Sequence, residues 1–118
     1  MKVGSHSNLI RDHVVYNMSY PGIFVYGGGA GVNTVEGNVI WNCLEGIYAV
    51  ADAIVRNNIV FNSGTDLSLY GHAQVAQMKN VTAVNNTLVN NTDGVYVRGS
   101  GKSRAFREYW ISRQTSQG

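Results

Sequence analysis

Cysteine and proline are nearly absent from this 118-residue sequence, which contains one of each. Because a single cysteine cannot form an internal disulfide, Cys43 indicates neither an oxidising nor a reducing compartment, and we interpret it as a buried apolar thiol. One cysteine and three scattered histidines also offer no zinc-binding spacing. The chain is instead rich in Gly (14), Asn (13) and Val (16). Valine packs well on a pleated surface, and Gly and Asn tolerate left-handed turns, so the composition predicts strands broken by turns.

Long hydrophobic runs are missing as well, and no stretch approaches the roughly 20 apolar residues of a membrane span. The N-terminal segment lacks the charged start and apolar run of a secretory signal. We therefore expect no membrane partner and no signal peptide within this chain. A longer protein would carry any leader upstream, so this absence leaves the localisation open.

Charged residues are sparse, at 14% of the sequence, and the net charge is +2. Residues 98–118 hold five Lys and Arg against one acidic residue, whereas residues 1–97 hold four against six. A short basic segment of this kind is typical of a solvated surface, so we expect no nucleic-acid partner.

An internal repeat organises most of the chain. Four segments follow one template, in which a strand, an asparagine turn, a second strand, a further turn and a glycine precede a third strand. Within each repeat two asparagines lie at a fixed spacing, as Asn58 and Asn62 do, except that His13 replaces the first of them in the first repeat. These positions are predicted to form two columns of stacked side chains, one of Asn38, Asn58 and Asn86 and one of Asn17, Asn42, Asn62 and Asn90.

The interval between successive repeats varies, and it is shortest from the second repeat, at Asn38, to the third, at Asn58. Three short strands and three turns fit this shortest interval, which we interpret as the bare coil of a solenoid. A single coil leaves its hydrophobic face exposed, so coils must stack to be stable. We therefore predict about four coils over residues 1–102, each rising about 4.8 Å, with a separate tail at residues 103–118. We expect the chain to be a piece of a longer solenoid.

The stacked asparagines resemble those of the right-handed parallel β-helix repeat family, and the resemblance covers about residues 7–99. That family includes pectate lyases, alginate and chondroitin lyases, polygalacturonases, alginate epimerases and phage tailspikes. The resemblance implies an all-β parallel solenoid, an extracellular or cell-surface location and a polysaccharide partner, including glycans that contain uronates. It also implies calcium as a cofactor, and the residues themselves make no cofactor evident.

Period-two alternation separates the inward from the outward side chains of the third strand in each repeat. The inward set is Ile23, Val25, Ile47, Ala49, Leu67, Leu69, Val95 and Val97. The outward side chains form two columns, Phe24-Tyr48-Ser68-Tyr96 and Tyr26-Val50-Tyr70-Arg98. Aromatic rings stack on sugars or contact them through edges and hydroxyls, and a guanidinium matches a uronate carboxylate. The predicted polysaccharide-binding residues are therefore Phe24, Tyr26, Tyr48, Tyr70, Tyr96 and Arg98. The alternative is that these aromatics are strand formers covered by other parts of the protein.

A second outward row, Tyr16, Trp41, Phe61 and Val89, is too apolar to be left to water. We expect the tail, a missing region of a longer chain or a second copy in a homo-oligomer to cover it. In the tail, Phe106, Tyr109, Trp110 and Arg113 have helical spacing, which predicts a short cap or cover helix starting near Ser103. An irregular cap is the alternative.

No recognisable catalytic constellation occurs, and the catalytic residues are unknown. Candidates near the aromatic face are Asp66, Tyr70, His72, Asp93, Tyr96, Arg98 and Lys102. Asp66 and Asp93, interpreted as aligned one coil apart, would give calcium only two carboxylates. Two hypotheses remain: a β-helix that binds or processes polysaccharide, as a lyase or hydrolase would, and a non-catalytic structural or adhesion solenoid.

Overall fold

The computed structural model describes residues 1–26, 31–70, 80–90, 92–98 and 108–112, with the side chains of residues 70, 80, 98 and 108–112 outside that description. The described strands are β1 (Lys2–Val3), β2 (Leu9–Arg11), β3 (Val14–Val25), β4 (Asn33–Glu36), β5 (Val39–Ala49), β6 (Ala53–Arg56), β7 (Ile59–Phe61), β8 (Thr65–Tyr70), β9 (Asn80–Val84), β10 (Thr87–Val89), β11 (Asp93–Arg98) and β12 (Glu108–Ser112). Within these ranges no helix has the length and apolarity needed to cross a membrane.

Two parallel sheets contain the described strands. The first has the order β1-β3-β5-β7-β10, with β8 beside β5 and β11 beside β8, and the second has the order β12-β9-β6-β4-β2. Neighbouring strands come from successive sequence repeats. Ile59, for example, pairs with Val39 of the preceding repeat and with Thr87 of the following one. This topology confirms the predicted all-β parallel solenoid.

Each repeat turns at two corners in the left-handed region. The first corner is formed by Asp12, Gly37, Asn57 and Asn85, with φ between 54° and 67°, and the second by Asn17, Asn42, Asn62 and Asn90, with φ between 52° and 57°. A left-handed conformation costs most L-residues roughly 1–2 kcal/mol, and Gly, Asn and Asp tolerate it best. That difference explains the residue types found at both corners.

A buried amide column follows the first corner. Asn38, Asn58 and Asn86 are at most 1% exposed. Asn38 Nδ2 donates to Asn58 Oδ1 at 2.9 Å, and Asn58 Nδ2 donates to Asn86 Oδ1 at 2.9 Å. At the N-terminal end, the backbone N–H of His13 donates to Asn38 Oδ1 at 2.9 Å. The contribution of His13 to this ladder is therefore its backbone, because its side chain is exposed.

A second, shorter amide ladder was missed by the sequence analysis. Asn33 is 1% exposed, and its Oδ1 accepts hydrogen bonds from Asn8 N at 2.9 Å and Asn8 Nδ2 at 3.1 Å. Asn33 Nδ2 donates to the Ser5 carbonyl oxygen at 2.9 Å. The interval from Asn8 to Asn33 equals the one from His13 to Asn38, which relates the first two repeats. That equality is the signal that would have identified the pair.

The predicted inward set forms the core. Ile23, Val25, Ile47, Ala49, Leu67 and Leu69 are no more than 1% exposed, and Val95 and Val97 are partly buried against the same cluster. Cys43 is also buried, as expected, and burial raises the pKa of its thiol.

Close packing at one corner requires glycine. A Cβ on Gly46 would collide with the Val60 side chain and approach the Asp66 carbonyl oxygen to 2.5 Å. A Cβ on Gly22 would come within 2.9 Å of both the Ile40 side chain and the Gly46 carbonyl oxygen. Glycine at these two positions of β3 and β5 therefore allows the backbone of one coil to lie close to the next.

The predicted cap helix was wrong over residues 108–112. Residues 108–112 form β12, which pairs in parallel with β9, so Tyr109 and Trp110 belong to a strand and not to a cap helix. The backbone of β9 offers a free edge that a Tyr-Trp-Ile segment of high strand propensity can extend. Phe106 and Arg113 lie outside the described residues.

Candidate functional site

One outward column of side chains crosses the first sheet. In register from its N-terminal end, it consists of Lys2, Phe24, Tyr48, Ser68 and Tyr96. The residues before and after Phe24, Tyr48 and Ser68 in sequence are buried in the core, so alternation directs these side chains outward. We call these five residues the aromatic column.

The rings of Phe24 and Tyr48 stack on each other, with centroids 4.8 Å apart and planes 9° from parallel. Rings lying side by side could not bring their centroids this close, so both rings stand away from the sheet and present their edges outward. Tyr96 lies two strands beyond Tyr48 and is 43% exposed. Ser68 occupies the level between them. At Phe24 and Tyr48 the geometry favours contact with a ligand through ring edges over stacking on a broad ring face.

An aromatic cluster surrounds the N-terminal end of the column. Phe24 contacts Tyr20 edge-to-face at 6.3 Å and Tyr26 at 5.0 Å between centroids. Lys2 Nζ lies 5.2 Å from the centre of the Tyr20 ring, in a cation–π contact. Tyr20 was not among the predicted site residues. It lies in a register shift of β3 between Met18 and Pro21, a bulge that simple alternation does not predict.

Glu45 is a second residue that the sequence analysis missed. It lies in β5 shortly before Tyr48, is half-buried, and its carboxylate accepts a hydrogen bond from the Ser68 side chain. Burial raises the pKa of the Glu45 carboxyl above its usual value, and the Ser68 hydrogen bond opposes that rise. Ser68 itself is only 4% exposed. The aromatic column therefore has a carboxylate anchored beside its serine.

The second predicted column is only partly present. Tyr26 is half-buried and packs against Gly4: a Cβ added to Gly4 would lie only 2.9 Å from the Tyr26 hydroxyl oxygen. Val50 was predicted to point outward, and this was wrong: it is 1% exposed. The reason is that β5 ends at Ala49, so the alternation of the strand does not extend to Val50. The backbones of Tyr70 and Arg98 pair in register, and their side chains lie outside the described residues.

The alignment of Asp66 with Asp93 was also wrong. Asp93 pairs with Thr65, which places Asp66 one position further along. Asp66 is fully buried, whereas Asp93 is exposed. Within the described ranges no group of three or more His, Cys, Asp and Glu is placed to share a metal ion. Asp66 and Asp93 are therefore not placed to bind one calcium ion together. His72 and Lys102 lie outside the described residues.

The second outward row forms a longer ring stack. Tyr16 and Trp41 stack at 4.6 Å and 5°, and Trp41 and Phe61 stack at 5.5 Å and 11°. Beside this row, Asn42 Nδ2 donates to Asn17 Oδ1 at 2.6 Å, and Asn90 Nδ2 donates to Asn62 Oδ1. Tyr16 is 51% exposed. Trp41 and Phe61 are half-buried, so the row is an aromatic ladder that is open to solvent at Tyr16 and flanked by exposed amide side chains.

The charged side chains that the structure describes on β2, β4 and β6 each have an ion-pair partner. Arg56 Nη2 donates to Glu36 Oε1 at 2.9 Å, and Arg11 Nε lies 3.5 Å from Asp12 Oδ2. Arg11, Glu36 and Arg56 line one shallow groove, at neighbouring levels of β2, β4 and β6. Because each guanidinium already faces a carboxylate, we assign no anion site to this groove.

A family model described as a right-handed β-helix region matches residues 2–118. No curated protein and no solved structure matches the chain. The family match agrees with the parallel strands and adds the handedness of the coil.

Proposed function

Because the chain belongs to the right-handed β-helix family, we propose that it binds polysaccharide through the aromatic column. A β-helix supports many activities, so a functional proposal must rest on the outward side chains of this particular chain. The observation that supports it best is the register of Phe24, Tyr48 and Tyr96 on one outer face.

The dimensions of the column favour an extended polymer. Phe24 and Tyr96 are three strand spacings apart, which is about 14 Å. A ligand that contacts both must be long and must follow the axis of the solenoid. Ring edges carry partial positive charge and bind oxygen atoms, and apolar ring surface contributes burial. A chain of sugar rings has both oxygen-rich and apolar surfaces.

Binding is tested by calorimetry or a glycan array with the wild type and the double variant Tyr48→Ala/Tyr96→Ala. We expect retention of at least one polysaccharide by the wild type and a loss of about tenfold or more in affinity in the variant, since aromatic contacts contribute about 1 kcal/mol each. Tyr16→Ala is the matched control, because it removes an exposed ring from the other row. Equal binding by all three proteins would exclude the aromatic column as the site.

Processing of the polysaccharide is the extension of this proposal. Lyase chemistry needs a base for the proton beside the carboxylate and a group that neutralises that carboxylate. Incubation of the protein with alginate, pectin, chondroitin and neutral glycans, followed by assays for unsaturated and reducing ends, separates the two activities. Retention without new chain ends would define a binding module.

The partly exposed ring stack supports a second candidate, a structural or adhesion solenoid. Tyr16, Trp41 and Phe61 form a ladder that would bury apolar surface against a second copy or another protein region. A stable oligomer that dissociates in a Tyr16→Ser/Phe61→Ser variant, measured by light scattering, would favour this candidate. A monomer at all concentrations would count against it.

A further inference from the structure

An extra residue in β3 gives Tyr20 its position. Between Met18 and Pro21 the pairing of β3 with β5 shifts register, because β3 has two residues there and β5 has one. A bulge of this kind re-aims a side chain, and bulges are over-represented next to active sites. The extra residue takes Tyr20 out of the alternation of β3, and the Tyr20 ring contacts that of Phe24.

The residue after Tyr20 restricts its backbone. Pro21 is the only proline of the chain, and proline disfavours the helical region for the residue that precedes it. Proline also lacks a backbone N–H and is tolerated within sheets mainly at edges and bulges. Pro21 is buried, so this restriction acts beside a residue that is fixed in the interior. The sequence therefore favours an extended backbone at Tyr20.

Two contacts orient the Tyr20 ring without covering it. The ring centroids of Tyr20 and Phe24 are 6.3 Å apart, with the planes 70° from parallel. Lys2 Nζ lies 5.2 Å from the centre of the Tyr20 ring. Tyr20 is nevertheless 48% exposed. A ring that is already oriented loses little further side-chain freedom when a ligand binds, which lowers the entropic cost of binding.

The plane of the Tyr20 ring differs from the planes of the aromatic column. Phe24 and Tyr48 are within 9° of parallel and present their edges outward, whereas Tyr20 is turned by 70° from Phe24. A ring turned in this way offers its face beside a column that offers edges. The C–H groups of a sugar ring form an apolar surface that packs on an aromatic face, and its oxygen atoms contact ring edges.

We infer that Tyr20 is the stacking platform of the polysaccharide site: one sugar packs its C–H face on Tyr20 while the following sugars contact the ring edges of Phe24 and Tyr48. This inference rests on the polysaccharide-binding function proposed above. It adds a binding residue that belongs to neither outward column. Specificity at this end of the site then depends on a sugar with an apolar ring face.

Calorimetry with β-1,4-glucan and α-1,4-galacturonan hexasaccharides tests the platform in the full chain. Tyr20→Ala should weaken binding of the tighter of the two oligosaccharides about fivefold, which is the effect of one aromatic contact. Tyr20→Phe should bind like the wild type, because it keeps the ring and removes only the hydroxyl. Tyr16→Ala is the matched control, since it removes a similarly exposed tyrosine from another part of β3 and should leave affinity unchanged.

Proton NMR of the bound oligosaccharide distinguishes stacking from other contacts. The ring current moves protons over an aromatic face upfield and protons at a ring edge downfield. Sugar C–H protons should therefore move upfield with the wild type and with Tyr20→Phe, and this shift should be lost with Tyr20→Ala.

The outcomes separate this inference from the function on which it rests. Wild-type affinity in Tyr20→Ala, or an upfield shift that persists in it, would overturn the platform and leave binding by the aromatic column standing. Failure of the folded wild type to bind any neutral or uronate oligosaccharide would overturn both.

Discussion

Asn58 Nδ2 donates a hydrogen bond to Asn86 Oδ1 at 2.9 Å, although the two residues belong to different repeats of the sequence. Asn58 Nδ2 also donates to the Val35 carbonyl oxygen at 3.0 Å, and Asn58 Oδ1 accepts from both N and Nδ2 of Asn38. This buried amide therefore links three coils, and its polar atoms are satisfied without water.

Asn58→Ala should be strongly destabilising. The substitution removes the acceptor of Asn38 N and leaves Asn38 Nδ2 with only the Ile10 carbonyl oxygen. It also removes one donor from Asn86 Oδ1, and each unsatisfied buried group costs roughly 1–3 kcal/mol. We expect the free energy of unfolding in urea to fall by about 3 kcal/mol. Thr87→Ala, an exposed position next to Asn86, is the control and should change stability by less than about 0.5 kcal/mol. A cost for Asn58→Ala no larger than the control would show that the ladder does not stabilise the fold.

Asn57 tests the left-handed corner separately from the ladder. Its φ is 56° and its side chain is exposed. Asn57→Ala should therefore reduce the free energy of unfolding by about 1 kcal/mol, because alanine disfavours this conformation. Asn57→Gly should lie close to the wild type, since glycine adopts positive φ readily. Equal effects of the two substitutions in urea titrations would mean that backbone strain does not select the residue.

Trp41 is the centre of the ring stack on the second outward row, in contact with Tyr16 on one side and Phe61 on the other. Aromatic pairs contribute about 0.5–1.5 kcal/mol each beyond burial. Trp41→Ala should therefore cost about 1 kcal/mol more than Tyr16→Ala, which removes only one pair. Chemical denaturation followed by circular dichroism measures both variants. A smaller effect for Trp41→Ala than for Tyr16→Ala would contradict the stack in solution.

The raised pKa of Glu45 predicts a pH dependence of stability. Because its carboxyl binds a proton more readily in the folded than in the unfolded state, its contribution to stability is full below the usual value of 4.5 and is lost as pH rises through the raised folded value. The stability difference between the wild type and Glu45→Gln should therefore move against the wild type between about pH 4 and pH 7. Urea midpoints of both proteins at the two pH values measure this. A constant difference would show that Glu45 titrates normally.

The regular spacing of asparagines was enough to predict a parallel solenoid. Positions such as Asn58 and Asn62 repeat because each coil needs a buried amide and a left-handed corner, and these requirements are local. The inward positions of Ile47 and Leu67 followed from alternation for the same reason: a strand has a side-chain period of two wherever it is regular.

Predictions from the sequence were wrong where a strand stops being regular or where pairing with a neighbouring coil determines the secondary structure. Val50 lies just past the end of β5, and Tyr20 lies at a bulge, so alternation assigned the first wrongly and missed the second. The helical spacing of the aromatic residues in the tail did not exclude a strand, and the open edge of β9 pairs Tyr109 and Trp110 into one.

Sequence alone therefore determined the coil, the two amide columns at Asn38 and Asn42 and the inward residues, because these follow from patterns that repeat along the chain. Tertiary structure decided which rings stack and that Asp66 is fully buried while Glu45 is half-buried. Glu45 and Ser68 belong to successive repeats of the sequence, and only the stacking of one coil on the next brings them into contact.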